Sequence, residues 1–276
     1  MKHVILTGRV MTMDHFVDER DFQLLDNDRY TFYVLGRVLG GPCAAIRTDH
    51  KHLILCHTEH PYPVWLWTPD GISHEEKERA WRLAQETCPM AEGYRYNLKY
   101  ELAEYFIARA KQEGLHIHIA TNMFAYDCPA PIAPETPADG QLHLCTMADV
   151  EEAAQMIYEF HEAVAADQQD LDRCRVHAER HISHQGFFFW KNAAGETVAC
   201  CSWNPNAGMG SVGSVYTRPE HRRRHYAQHL VYQVTQMIAD MGLTPMLYTD
   251  ADYIASNACY EKIGYVLRGK LCTISA

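Results

Sequence analysis

Three consecutive arginines, Arg222, Arg223 and Arg224, stand out in a chain whose formal net charge is −10. They lie in residues 215–227, V-Y-T-R-P-E-H-R-R-R-H-Y-A. Ser214, Val215, Tyr216 and Thr217 are strand-forming types, and Arg218-Pro219 stops the run. An amphipathic stretch with helical spacing opens at Tyr226 and Ala227, directly after His225. Strand, tight basic turn and helix N-terminus together suit phosphate. First-turn N–H groups have no partner within a helix, the helix dipole favours negative charge there, and guanidinium groups add forked donors. A basic triplet alone also reads as a solvated face. The strand-turn-helix setting favours the anion site.

Other chemically capable residues have weaker settings. His177-Ala178-Glu179-Arg180-His181 places two histidines at i and i+4, a spacing able to grip a metal. Its glutamate is displaced by one from H-E-x-x-H and no third ligand is evident, so no metal is expected. His116 and His118 share a strand face, beside solvent or in a satisfied core position. His57-Thr58-Glu59-His60, just before Pro61, reads as a polar strand end. Asp250 and Asp252 follow a strand, where aspartate usually caps a helix or solvates a loop.

The elements that must position these residues form two groups. Residues 22–38 have helical spacing through Leu24, Leu25, Phe32, Val34 and Leu35, interrupted by turn signals at Asp26-Asn27 and Gly40-Gly41. Residues 52–58 and 64–67 read as buried strands, with Pro61 and Pro63 between them. Ser73 and Glu76 form a capping box for a helix over 75–87. Residues 98–113 are helical up to the C′ residue Gly114, and 115–123 alternate like a strand. Strands interleaved with helices indicate an α/β domain over 1–126. Residues 127–141, with Pro129, Pro131, Pro134, Pro137 and Gly140, read as a stiff linker.

From 142 to 276 the order is strand (142–146), helix from Asp149, helix (169–184), strands 186–190, 197–203 and 210–217, helix (226–241), strand (246–249), helix (256–263) and strand (265–274). The run Phe187-Phe188-Phe189-Trp190 is expected in the core.

Composition limits the function classes. With 47% hydrophobic and 22% charged residues the chain is ordinary globular material. Its negative charge argues against binding nucleic acid or an acidic membrane surface and favours cationic ligands. Ten scattered cysteines without a C-x-x-C read as reduced thiols of a cytoplasmic protein. No stretch is long and apolar enough to read as a signal peptide or a membrane span.

The order from 142 onward resembles the GNAT superfamily of acyl-CoA-dependent N-acetyltransferases. Two motifs carry the resemblance. Arg222-Arg223-Arg224-His225-Tyr226-Ala227 is similar to the family's Q/R-x-x-G-x-G/A turn, with His225 where glycine is expected. Ser256-Asn257-Ala258-Cys259-Tyr260-Glu261-Lys262-Ile263-Gly264-Tyr265 is similar to its S-N-x-x-Y-x-x-x-G-F/Y segment. The resemblance implies a GNAT fold over 142–276, with a preceding α/β domain that reads as a degenerate copy binding no cofactor.

It further implies acetyl-CoA as co-substrate, held by the backbone of Val215, Tyr216 and Thr217, by the turn from Arg222 to Ala227, and by Asn257. Tyr260 falls on the position that protonates the departing thiolate. The strand G-S-V-G-S-V-Y-T lacks the carboxylate many members use as a base, which leaves the base unassigned. The acceptor is expected to be a primary amine on a small molecule or peptide, and a homodimer is compatible. The alternative is a non-catalytic acyl-CoA-binding or regulatory protein. If His225 is helical its φ is negative and histidine is sterically tolerated there, so cofactor binding is expected to survive in weakened form.

Overall fold

The proline-rich stretch expected to separate two domains does not separate them. In the computed structural model, which describes residues 13–164 and 169–276, the chain divides into Met1–Thr121 with Leu271–Ala276, and Asn122–Lys270. The division falls inside a continuous strand, so residues 127–141 lie wholly within the second unit.

In the first unit, the turn signals win over the helical spacing of residues 22–38. Two short helices form instead, α1 (Glu19–Leu24) and α2 (Tyr33–Val38), with a 3₁₀ turn at Asp26–Asp28 between them. Next come β1 (Ala45–Thr48), β2 (Ile54–His57) and β3 (Val64–Trp67), then α3 (His74–Thr87), β4 (Tyr96–Leu98), α4 (Tyr100–Gln112) and the start of β5 (His118–Asp127). The short strands β1 and β4 carry little alternation and were not expected.

The capping box closes α3 as anticipated: Glu76 N–H donates to Ser73 Oγ, and Ser73 N–H to Glu76 Oε2 at 2.8 Å. Gly114, at φ +77°, ends α4, with Leu115 N–H reaching Ala110 O at 2.9 Å. β1, β2 and β3 pair antiparallel, β3 pairs β4 in parallel, and Cys272–Ile274 complete the sheet beside β4. Trp81, Leu102 and Phe106 of α3 and α4 are buried against Leu55, Leu66, Tyr96 and Ile274.

The second unit contains β6 (Gln141–Leu144), α5 (Val150–Ala163), α6 (Leu171–Ser183), β7 (Phe187–Lys191), β8 (Thr197–Asn206), β9 (Met209–Thr217), α7 (Tyr226–Asp240), β10 (Thr244–Asp250), α8 (Ile254–Ile263) and β11 (Val266–Ser275), whose last residues belong to the first unit. β5, from Met123 on, pairs antiparallel with β10, and β10 pairs β9 in parallel. The ladder continues antiparallel through β8 and β7 to β6.

Strand side chains alternate between two cores. Phe188, Trp190, Ala199 and Cys201 meet α7 and α8, whereas Phe187, Phe189 and Cys200 meet α5 and α6. The aromatic run is therefore core on both faces. None of the described helices is long and apolar enough to cross a membrane.

Candidate functional site

The parallel ladder between β9 and β10 is incomplete. It runs from Met209↔Thr244 to Val212↔Leu247 and stops. Beyond that point β10 stays with β5 (Asp250↔Met123), and β9 stays with β8 (Thr217↔Ala199). A bulge helps the strands to part. Ser202 faces Gly213 and Cys200 faces Tyr216, so Ser214 and Val215 together oppose Cys201, and Ser214 sits at φ +48°. The edge of β9 that faces the gap therefore presents backbone groups without a ladder. Val215 packs into the α7/α8 core and buried Tyr216 into the α5/α6 core, so the gap meets only those main-chain groups of this stretch that point away from β8. The C-terminal ends of parallel strands are a general place for ligands in α/β sheets; here the helices that follow β9 and β10, α7 and α8, share one face of the sheet.

The basic turn lies at this end of β9. Arg222, Arg223, Arg224 and His225 are all exposed. Arg222 Nε donates to Thr217 O at 3.1 Å, and its guanidinium lies 6.0 Å from the Tyr216 ring. Arg218, by contrast, is committed to Thr197 O at 2.9 Å and to Glu159 at 3.4 Å. α7 has no acidic residue in its first turn and no side-chain cap. Its first ladder bond is His229 N–H to His225 O, which leaves the N–H groups of Tyr226, Ala227 and Gln228 open.

His225 departs from the expected backbone. It sits at φ +63°, ψ +6°, in the left-handed region, and Arg223 also has positive φ at +62°. This is the conformation that glycine adopts freely, held here by an L residue at a cost of about 1–2 kcal/mol. The Tyr226 side chain points away from the open end. It is 2% exposed and donates to Asp139 Oδ1 at 2.7 Å. Only its main chain can serve an anion.

α8 follows β10 across the gap. Tyr260 is 7% exposed, in the core cluster that also contains Val212, Leu247 and Tyr226. Burial pushes its phenol pKa up, with Cys259 and Cys201 adding to the shift, so the hydroxyl keeps its proton. Asn257 is fully engaged: its Oδ1 accepts from Thr249 Oγ1 at 2.8 Å, and its Nδ2 donates to Asp250 O and Ala251 O at 3.2 and 3.0 Å. Its amide ties the end of β10 to α8. α8 starts at Ile254 without a side-chain cap. Asp250 instead accepts from Asp252 N–H, and Asp252 from Asn122 Nδ2, both at 3.0 Å. They shape a loop rather than cap the helix.

Among the described residues, none joins His177 and His181 in a ligating group. Among the described residues two such groups occur, and both are internally paired. His143 lies 3.1 Å from Asp149, beside Cys145, and His50 lies between Asp21 at 2.8 Å and Asp14 at 3.0 Å, beside Asp18. His116 and His118 are both exposed, but only His118 belongs to a strand, as the first residue of β5. His57 is the last residue of β2, where a polar strand end was expected. It is buried, burial pushes its imidazole pKa down, and its Nε2 has no hydrogen-bond partner. Sequence reasoning missed Asp139, because a lone aspartate in a proline-rich stretch has no spacing that marks it.

Residues 192–274, which include the basic turn and Tyr260, match the family model described as FR47-like protein. No curated protein sequence matches the chain. Among solved structures, a GCN5-related N-acetyltransferase from Sphaerobacter thermophilus aligns with a TM-score of 0.68 at 15% identity, covering 95% of this chain and 94% of that one. An acetyltransferase of the GNAT family from Colwellia psychrerythraea aligns at 0.59 and 11% identity, over 95% and 98% of the two chains. A tandem GNAT protein from the clavulanic acid biosynthesis pathway aligns at 0.52 and 13% identity, over 81% and 78%. At these identities the likeness establishes the fold.

Proposed function

Starting from a chain with the fold of GNAT acetyltransferases and an FR47-like C-terminal segment, we propose that it moves an acetyl group from acetyl-CoA to a primary amine of a small molecule or peptide. The observation that carries this reading is the gap between β9 and β10 with a bare, basic helix N-terminus at its mouth. An acyl-CoA has an arm with two amides and a pyrophosphate, and the donor set matches both. The main chain of Val215, Tyr216 and Thr217 supplies strand-like partners for the amides. The open N–H groups of Tyr226 and Ala227, with Arg222, Arg223 and Arg224, supply cationic and dipolar partners for the phosphates. Asn257 contributes by fixing the β10–α8 turn rather than by contact.

Acetyl-CoA brings an activated thioester and a thiolate leaving group. Tyr260, kept neutral by burial, holds a proton at its phenolic oxygen for that thiolate. The acceptor amine must arrive neutral, and the acidic field of the chain favours cationic amines in the encounter. Thiol release from acetyl-CoA over a panel of polyamines, aminoglycosides, amino acids and lysine peptides tests the proposal. Tyr260→Phe is expected to lower kcat while acetyl-CoA binding persists. Equal turnover in that variant would remove Tyr260 from the chemistry.

A second reading has one observation in its favour: β9 carries no carboxylate anywhere from Met209 to Thr217. A non-catalytic acyl-CoA-binding protein would show acetyl-CoA affinity without thiol release with any amine.

A further inference from the structure

The left-handed backbone at His225 needs a restraint, because strained residues persist only where their surroundings over-determine them. The side chain of His225 does little, since it is exposed and its Nδ1 lies 3.3 Å from Oε1 of half-buried Gln228. The next residue is held firmly. Tyr226 is the first residue of α7, is buried, and donates to Asp139 Oδ1 at 2.7 Å.

Asp139 is itself fixed on two further sides. Its Oδ2 accepts from Ala193 N–H at 2.9 Å, and its carbonyl accepts from Trp190 Nε1 at 2.9 Å. The Ala193 bond comes first among the causes that hold its carboxyl pKa below the usual range, followed by Tyr226. The segment carrying Asp139 cannot drift. A Cβ on Gly140 would lie 2.1 Å from Lys191 O, and one on Gly264 would lie 2.4 Å from Ala130 O. Ile132 N–H bonds Ile263 O at 2.7 Å, and Thr136 O lies 2.8 Å from His229 Nε2 on the first turn of α7.

We propose that Asp139 is a positioning residue which, through Tyr226, holds the open N-terminus of α7 in its anion-binding geometry and so replaces the conformational freedom lost with glycine at position 225. The proline-rich segment is then a strap across the base of the cradle. This rests on the acyl-CoA reading above. The carboxylate also stands close enough to Arg224 for their charges to interact. A purely electrostatic role would therefore make Asp139 a competitor of the phosphate, with the opposite sign on binding.

The full-length protein and coenzyme A decide between these roles. Tyr226→Phe removes the bond and keeps the carboxylate, and Asp139→Ala removes both. Each is expected to weaken coenzyme A binding about three- to tenfold, one net hydrogen bond's worth. In steady state the loss falls on KM for acetyl-CoA, with kcat nearly unchanged. In a His225→Gly background the Asp139→Ala loss shrinks, because glycine adopts positive φ without strain. Amide exchange in the ligand-free protein provides a readout independent of the acyl-CoA reading: Asp139→Ala accelerates exchange at His229 but not at Val234. Unchanged affinity in Tyr226→Phe, tighter binding in Asp139→Ala, an equal loss in the His225→Gly background, or unchanged exchange at His229 would each overturn the proposal. A wild-type protein that binds no coenzyme A but shows the exchange effect would sink the acyl-CoA reading and leave the anchor standing.

Discussion

From α1 to β5, and again from α5 to β11, the chain passes through the same order of elements: two helices, three strands, then helix, strand, helix, strand. The two stretches differ at the same two places. In the second unit β9 and β10 part, and α7 starts with no cap, no acid and three arginines just before it. In the first unit the parallel ladder of β3 and β4 is also short, Val64↔Tyr96 and Trp65↔Asn97. There the space beyond the ladder is stitched. Trp67 Nε1 donates to Asp28 at 2.8 Å, and Lys99 just past β4 pairs with Asp28 at 2.6 Å and Asp70 at 2.7 Å. α3 starts on Ser73 with Glu75 and Glu76 in its first turn, so the Glu76 N–H is capped and the helix end is acidic. One framework thus leaves a helix end unsatisfied where the anion site is proposed, and makes a structural joint where the corresponding end is capped.

The comparison breaks most sharply at the arginines. Replacing Arg222, Arg223 and Arg224 together by alanine should weaken coenzyme A binding by about two orders of magnitude, from several charge-assisted hydrogen bonds of modest individual worth. Isothermal titration measures this. Next in size is Tyr260→Phe, expected to lower kcat about 10- to 100-fold with little change in KM for acetyl-CoA, within the range of general acid catalysis. Because burial raises the Tyr260 pKa, the wild-type pH–rate profile should show no alkaline limb at the usual tyrosine value of about 10.

In the first unit the corresponding changes should cost stability and leave ligand binding alone. Lys99→Met leaves Asp28 without its cation and should destabilise by about 1–3 kcal/mol, read by denaturant titration. Ser73→Ala removes a cap and should cost about 1 kcal/mol. Bonds from the Ser73 N–H and hydroxyl hold Glu76 below its usual carboxyl range. A depressed folded value means that this contribution is fully present above the unfolded pKa. It fades as pH falls through the folded one, so the Ser73→Ala penalty should shrink in acid. The smallest effect is expected from His225→Gly. Relief of left-handed strain and greater unfolded-state entropy oppose each other, so coenzyme A affinity should move by less than about fivefold, well under the 1.4 kcal/mol that makes a tenfold change. Recovery of binding by this variant from a wild type that binds none would show instead that the imidazole blocks the phosphate.

Much of the second unit was legible because its elements are long and its signals agree. The helix from Tyr226 has a clean apolar face, Gly242 follows it, and the Ser256–Tyr265 motif sits in place. The first unit was harder to read. Helical spacing over 22–38 spans two turns, and strands of three or four residues such as Tyr96–Leu98 and Ala45–Thr48 are too short to alternate visibly. The proline-rich stretch misled for a physical reason. Composition reports stiffness, not attachment, and Asp139, Gly140 and Ile132 bind it to the second unit through contacts distant in sequence. Within the site, residue types identified the basic turn, but the positive φ of His225, the full engagement of Asn257 and the inward turn of Tyr226 are tertiary facts.

The most direct test of the account is isothermal titration of the full-length protein with acetyl-CoA, beside Arg222→Ala, Arg224→Ala and a Ser73→Ala, Glu76→Ala double variant. The account predicts a single site per chain, weakened by either arginine change and indifferent to the double variant in α3. Binding that survives both arginine changes, or that is lost with the α3 cap, would contradict the assignment of the anion site to the second unit.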